Sequence, residues 1–155
     1  MNEADIAARR AARLAAVQAL YQMETGGAST ADLLAEFSAG KLPRESEATF
    51  TESEPNLELF KLLIENAVDR QATLDRAIAR RLSKGWRLER IDSVARAILR
   101  AGAAELEQRK DTPKAVVINE YVDIAKSFFD GPEPGFVNAT LDACAGDLRP
   151  DGEGA

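Results

Sequence analysis

The sequence predicts an all-α protein, a single compact bundle of six or seven helices. Apolar residues recur at intervals of three and four along nearly the whole chain, which is the spacing of one face of an α-helix. Alternation with period two, the pattern of a half-buried strand, never persists. Glycines, prolines and capping residues divide the chain into segments of helical length. With 155 residues, the chain suits one domain with its own core.

The residue pattern of the N-terminal third predicts two helices and a loop. The first helix spans residues 5–24, ends at a pair of glycines and has an apolar stripe made of Leu14, Val17 and Tyr21. Thr30 is predicted as the N-cap of a short second helix. Residues 40–56 are polar and acidic, which predicts an exposed loop.

The rest of the chain predicts four or five further helices. Pro55 lies near the start of the next one, and Gly85 ends the region of two consecutive apolar stripes. In the helix predicted over about residues 90–108, Gly102 marks a place where a neighbouring helix could approach closely. Thr112 as N-cap and Pro113 in the first turn predict the start of a deeply packed helix.

The chain is expected to end in a short helix and a tail. The last helix is predicted over residues 136–145, and residues 148–155 are expected to be disordered. The predicted domain organisation is therefore one helical domain over residues 1–147, with the acidic loop as an insertion.

Composition argues against several classes of site. The chain contains no histidine and one cysteine, Cys144, so the commonest general base is missing and a zinc site has almost no ligands. Neither a GxxxxGK[ST] phosphate loop nor a GxGxxG turn is present. We expect a binding protein rather than an enzyme, with no catalytic residue, metal site or cofactor.

The expected location is the cytoplasm. A single cysteine cannot form an intramolecular disulfide, which fits a reducing compartment. No uninterrupted apolar run approaches the roughly 20 residues that span a bilayer, and the N-terminus lacks the apolar stretch of a signal peptide. We therefore expect no membrane association.

The stretch RRAARLAAVQALYQ is the most informative part of the sequence. The chain has 26 acidic and 20 basic residues, a formal net charge of −6, yet its first helix carries three arginines in five positions. Arg9 and Arg13 lie one turn apart, and Arg10 lies about 100° around the helix. Guanidinium groups suit phosphate, and Gln18 could add a base or sugar contact. The alternative is a solvated helix end with pairs such as Asp5–Arg9.

Charge is also divided unevenly along the chain. Residues 70–100 contain nine bases and three acids, which gives a local net charge of +6. Because salt screens charges beyond about 10 Å, an anionic ligand responds to the local field and not to the net charge. The acidic total therefore does not exclude a nucleic acid as ligand.

Three blocks of the sequence resemble the bacterial NusB family. They are RRAARLAAVQALYQ, then KGWRLERIDSVARAILRAGAAEL, and finally DTPKAVVINEYVDIAKSFFD with GFVNATLD. They occur in the family's order and cover most of the chain apart from residues 40–56. The resemblance implies an all-helical transcription antitermination factor. Such a factor binds the boxA element of ribosomal RNA transcripts together with the ribosomal protein NusE, and joins the complex on RNA polymerase.

The resemblance also implies roles for single residues. Arg9, Arg10 and Arg13 fall on the family's RNA-contacting arginines. Phe136 falls on an aromatic residue implicated in RNA contact, although it could equally be an apolar anchor of the last helix. Tyr21 falls on a tyrosine of the NusE-facing surface, and its place on the apolar stripe predicts a mostly structural ring with only the hydroxyl at an interface. The loop DGPEPG before Phe136 lacks the basic residue usual there, and Trp86 is expected in the core.

Other functions stay open at this point. A NusB-like domain also forms the N-terminal part of certain ribosomal RNA cytosine methyltransferases, but such enzymes need a much longer chain with a catalytic domain. A protein-interaction bundle without RNA affinity is the other alternative. A homodimer would be a further arrangement, with the surface for NusE or RNA covered by a second copy.

Overall fold

A computed structural model describes residues 2–27, 29–38, 54–82 and 86–150. These ranges contain seven α-helices and no strand, so the predicted all-α class is confirmed. A short 3-10 helix, Leu88–Arg90, precedes the fifth α-helix. The α-helices are α1 (Glu3–Gly26), α2 (Thr30–Ser38), α3 (Leu57–Asp69), α4 (Gln71–Arg81), α5 (Ser93–Gln108), α6 (Lys114–Phe128) and α7 (Glu133–Leu148). The loop predicted over 40–56 falls mostly outside the described residues.

Capping side chains fix where several helices begin. Asn2 forms a capping box with Asp5 at the start of α1. Asn56 accepts a hydrogen bond from the backbone N–H of Leu59 in α3. For α2, the cap is Ser29, whose hydroxyl accepts from the N–H of Asp32, and the prediction of Thr30 is wrong by one residue.

The start of α6 also differs from the prediction. Pro113 occupies the N-cap position, without a side-chain hydrogen bond, and Thr112 lies one residue before it. The N–H of Thr112 instead donates to the carbonyl of Arg109 at 3.0 Å. The threonine thus belongs to the turn between α5 and α6.

Helix α5 lies at the centre of the bundle, where it packs against α1, α3, α4, α6 and α7. A run from Ala101 to Leu106 is buried on all sides, which small side chains make feasible. A Cβ atom added at Gly102 would lie 2.8 Å from Cδ1 of Leu141 in α7. The predicted close approach at this glycine is confirmed.

Helix α1 buries a face rich in small residues, and of the predicted stripe only Val17 is fully buried. Ala12, Ala16 and Ala19 have no exposed surface, whereas Leu14 is half-buried and Tyr21 is 37% exposed. Alanine lets two helix backbones approach closely, so the face against α3 and α5 is made of alanines. Tyr21 is therefore more exposed than a place on a core-facing stripe predicts, although most of its surface is covered.

Helix α7 is longer than predicted and ends in an anchored residue. It runs over Glu133–Leu148, with Pro134 in its first turn, where proline is favoured. Leu148 and Arg149 are buried, so the disordered tail predicted from 148 cannot begin there. The last residues, 151–155, lie outside the described residues.

Two further features concern the described residues alone. None of their helices is long and apolar enough to cross a membrane. No group of three or more acidic or cysteine side chains among them could hold a metal ion.

Candidate nucleic-acid interface

The arginine-rich end of α1 borders a groove that α1 shares with the start of α6. The groove has a volume of about 720 Å³. Its lining comes from α1, from the turn between α5 and α6, and from α6, and we call it the arginine groove. The lining residues are Ile6, Arg9, Arg10, Arg13, Asp111, Thr112, Pro113, Val116, Asn119, Glu120 and Asp123.

Arg10 presents its guanidinium to solvent at this groove. Its side chain is 63% exposed, and its Nε lies 3.2 Å from Oε1 of Glu120. Arg9, half-buried, lines the same groove one residue earlier. Two adjacent guanidinium groups at one opening are suited to the phosphates of a nucleic-acid backbone.

Arg13 does not share this exposure. Its side chain is 6% exposed, and Nε and Nη2 donate to the two carboxylate oxygens of Glu105 at 2.9 and 2.7 Å. Burial is the largest single influence and opposes its charge, but the hydrogen bonds to Glu105 and the nearby negative charges together outweigh burial and raise the pKa of the guanidinium. Arg13 is thus a structural residue beneath the groove, and the direct RNA contact predicted for it does not fit this conformation.

A chain of hydrogen bonds connects the buried and exposed arginines. The hydroxyl of Tyr121, fully buried in α6, donates to Oε1 of Glu105 at 2.8 Å. Nη1 of Arg13 donates to Oε1 of Glu120 at 3.3 Å, and Glu120 also accepts from Arg10. The carboxylate of Glu120 that holds Arg10 is therefore itself fixed from below by Arg13.

Apolar side chains form part of the groove wall. Ile6 is 39% exposed and Val116 is 46% exposed, which is high for residues of this kind. Pro113 and the amide of Asn119 lie beside them. An apolar surface next to two guanidinium groups can take a base whose phosphate binds to arginine.

Arg149 fixes the turn that forms one side of the groove. Its guanidinium donates to the backbone carbonyls of Leu106, Arg109 and Thr112 at 2.6, 2.7 and 2.8 Å. The first of these carbonyls lies in the last turn of α5, where a cation is favoured. Helical periodicity gives no sign of this residue, because it lies after the last apolar stripe.

A second candidate contact lies at the start of α7. The ring of Phe136 packs partly on the core, and its centroid lies 5.5 Å from that of Trp86, with an angle of 38° between the ring planes. Trp86 is 57% exposed, so its predicted place in the core is wrong. The half-buried ring of Phe136 is anchored on the core, and its role as a ligand contact stays a prediction.

Tyr21 lies toward the opposite end of α1, near a different groove. It is exposed and lies three residues before Glu24, which lines a groove of about 740 Å³ together with Leu20 and Met23. Glu24 accepts hydrogen bonds from Arg96 and Arg100, and the bond from Arg96 holds the pKa of this carboxyl below its usual range. The tyrosine is therefore separated from the arginine groove and accessible to a partner.

Comparison with known proteins places this architecture. A family model described as the NusB family matches residues 10–146. The chain is 52% identical over 141 residues to the transcription antitermination protein NusB of Caulobacter vibrioides, an alignment covering 91% of this chain and 94% of that protein. It is 49% identical to the protein of that name from Maricaulis maris, over 92% of this chain and 89% of the other.

The chain belongs to the NusB family. Solved structures support the same assignment. The fold matches T. maritima NusB with a TM-score of 0.70 and 31% identity, over 88% of this chain and 89% of that chain. It also matches a chain in the crystal structure of a plectonemic RNA supercoil, with a TM-score of 0.70 and 29% identity over 87% of this chain and 91% of that chain.

The residues predicted for RNA contact divide into two groups in this NusB-family structure. Arg9 and Arg10 line the groove and Phe136 lies half-exposed in the aromatic pair. Arg13 and Gln18 are buried, so neither side chain is presented to a ligand. Gln18 lies one turn beyond Leu14 on a helix whose middle is covered by its neighbours, so the base or sugar contact predicted for it would require this side chain to become exposed.

Proposed function

We propose that this NusB-family protein is an RNA-binding transcription antitermination factor whose arginine groove holds phosphates of a boxA-type single-stranded RNA. The observation that carries the proposal is the pair Arg9–Arg10 beside an exposed apolar wall on the leading helix. Family membership adds support, because the relatives are named transcription antitermination proteins. A structural relative from a crystal that contains RNA supports the choice of ligand.

Glu120 limits how strongly the groove attracts phosphate by itself. Its carboxylate lies 3.2 Å from Nε of Arg10 and therefore repels a phosphate that approaches this guanidinium. Exposed ion pairs contribute only about 0–1 kcal/mol, so the carboxylate reduces the gain from binding a phosphate without preventing it. Asp111 and Asp123 also line the groove. We therefore expect moderate affinity for RNA alone and a need for a partner protein.

The proposed partner is NusE, and the proposed contact is Tyr21. This ring is exposed, and its neighbours Leu20, Met23 and Glu24 on the same helix line a groove separate from the arginine groove. A complex with RNA polymerase, and with it a cytoplasmic location, follows from the same role. In this arrangement, RNA and NusE occupy different surfaces of α1 and can bind simultaneously.

The test is a binding titration with a boxA-type RNA at several salt concentrations. The double variant Arg9→Ala/Arg10→Ala should weaken binding and make the logarithmic salt dependence shallower by roughly 1 to 1.5, since each lost phosphate contact on a single strand contributes about 0.7. The matched control is Arg76→Ala/Arg80→Ala, which removes the same charge from exposed positions of α4. Equal losses in both double variants would show that net charge alone drives binding.

A second arm of the titration adds NusE. Binding of the RNA should tighten, and Tyr21→Ala should remove this gain without changing the affinity for RNA alone. If the parent protein binds no RNA with or without NusE, the protein-interaction bundle becomes the better description. The methyltransferase alternative is disfavoured because the alignment covers 94% of a relative named for antitermination.

A further inference from the structure

We infer that Trp86, together with Phe136, forms a platform on which unpaired bases of the bound RNA stack. The inference rests on the proposed RNA-binding function and extends it to a residue that the sequence analysis placed in the core. Trp86 has the highest exposed fraction of the large apolar side chains in the described ranges, 57%. An exposed tryptophan of this kind loses its contact with water when a base covers it.

The platform is rigid on the side of Phe136. This ring packs against the core cluster from near the start of α7. The backbone N–H of Phe136 donates to the carbonyl of Pro132. The indole leans on the ring at 5.5 Å between centroids. A tilted aromatic pair within 4.5–7 Å has favourable geometry, so the indole has a supported face and a free face.

The backbone next to Trp86 is also fixed. The 3-10 helix that follows places Leu88 in the core, with 8% exposure. Nη1 of Arg96 donates to the carbonyls of Leu88 and Ile91 at 3.0 and 2.6 Å. The indole thus contacts Phe136, and the backbone that follows it is fixed. A surface ring restrained in these two ways loses little conformational freedom when a ligand binds.

Charge near the platform favours an anionic ligand over an apolar one. Arg87 follows Trp86 directly, and its side chain is 71% exposed, with Glu89 3.9 Å away. Arg90, also exposed, closes the same short segment. Aromatic rings with neighbouring arginines are the usual composition of sites for single-stranded nucleic acid, where bases stack and phosphates find cations.

The arginine groove lies along the first half of α6, and the loop that leads to Phe136 follows the last residue of this helix. Glu120 contacts Arg10 from the middle of α6, and Phe128 ends the helix. Eight residues of helix span about 12 Å. Between these two residues, Asp123 and Lys126 give no net charge. A bound RNA strand is therefore held at its two contacts, phosphate at the groove and base at the platform.

The first test uses Trp86 as its own probe, because it is the only tryptophan of the chain. Adding a boxA-type single-stranded RNA should quench tryptophan emission, with the same midpoint as the anisotropy of a labelled RNA. Binding seen by anisotropy with unchanged emission would overturn the platform and leave the proposed function intact. Absence of binding by both measurements would overturn the proposed function itself. Quenching by NusE alone and not by RNA would assign the ring to a protein contact.

The second test compares two substitutions that differ in the presence of an aromatic face. Trp86→Leu should weaken RNA binding by about 5-fold to 150-fold, and Trp86→Phe should keep most of the affinity. The loss should be the same at low and high salt, unlike that of Arg9→Ala/Arg10→Ala, because stacking releases no counterions. Thermal unfolding of both variants checks the fold. Parent-like affinity of Trp86→Leu contradicts the inference.

Discussion

At the scale of single residues, the arginines of α1 show how burial decides function. Arg10 and Arg13 are three positions apart and both contact Glu120. Arg10 is 63% exposed, and a phosphate can replace its carboxylate partner. Arg13 is 6% exposed and donates hydrogen bonds to both carboxylate oxygens of Glu105. A ligand could therefore reach it only by breaking a buried ion pair.

This difference predicts opposite effects of two similar substitutions. Arg13→Ala should lower the free energy of unfolding by about 3–5 kcal/mol, because it leaves the carboxylate of Glu105 buried without its cation. Arg10→Ala should change stability by no more than about 1 kcal/mol. Urea unfolding measures both. For RNA affinity the order is reversed: Arg10→Ala should weaken binding directly, because it removes a guanidinium that is proposed to contact the RNA. Equal stability losses would contradict the assignment of Arg13 as structural.

The sequence could place the arginines on one helix but could not say which of them is buried. That outcome depends on Glu105 and Tyr121, which come from α5 and α6 and meet Arg13 only in the folded bundle. Arg149 could not be recognised for the same reason, since its three carbonyl partners belong to the distant end of α5 and to the turn that follows it. Helical periodicity describes neighbours along one helix and is silent about partners from another.

At the scale of helices, periodicity predicted the elements well and their faces less well. The ranges of α1 and α5 agree with the prediction within a few residues. The buried face of α1 was misjudged, because alanines carry little weight in an apolar pattern and yet mediate its closest contacts. The start of α7 was placed three residues late, because Glu133 and Pro134 resemble a loop in sequence although both are favoured in a first helical turn.

The contact between α5 and α7 gives a prediction at this scale. Gly102→Ala should destabilise the protein by roughly 1 kcal/mol, since the new methyl group would lie 2.8 Å from buried Leu141 and overpacking exceeds the gain in helix propensity. In a Leu141→Ala background, the same substitution should become stabilising. Thermal unfolding of the parent, the two single variants and the double variant measures the coupling between positions 102 and 141.

A matched control for this experiment lies on α7. Gly146 is helical, but a Cβ added there meets nothing within 4 Å. Gly146→Ala should therefore raise stability by up to about 1 kcal/mol through helix propensity alone. If Gly102→Ala stabilises the parent protein as Gly146→Ala does, the contact between α5 and α7 leaves enough room for a Cβ atom at position 102.

At the scale of the whole molecule, ion pairs between helices redistribute the charge seen in the sequence. The basic region of residues 70–100 does not form a uniform positive surface. Several of its arginines are paired with acids from elsewhere: Arg70 with Glu107, Arg81 with Asp147, Arg96 and Arg100 with Glu24. The proposed attraction for RNA therefore depends on local groups and not on a general field.

These pairs and the missing histidine predict the pH dependence of stability. Hydrogen bonds from Arg96, Arg70 and Arg81 hold the pKa values of Glu24, Glu107 and Asp147 below their usual range. Each carboxyl binds its proton more tightly in the unfolded chain, so its contribution is present above about pH 4.5 and is lost as the pH falls. At the other end, burial raises the pKa of the Cys144 thiol to about 12. Ionisation of the unfolded chain above about pH 8.5 then favours unfolding.

The expected result is a plateau between about pH 5 and 8 with a fall on both sides. No side chain of ordinary pKa titrates within the plateau, because the chain has no histidine. Urea unfolding in a series of buffers measures the curve, and Cys144→Ala should reduce the fall on the alkaline side. A step in stability near neutral pH would reveal a titrating group with a strongly displaced pKa. The interhelical ion pairs would then not be the main pH-sensitive element of the bundle.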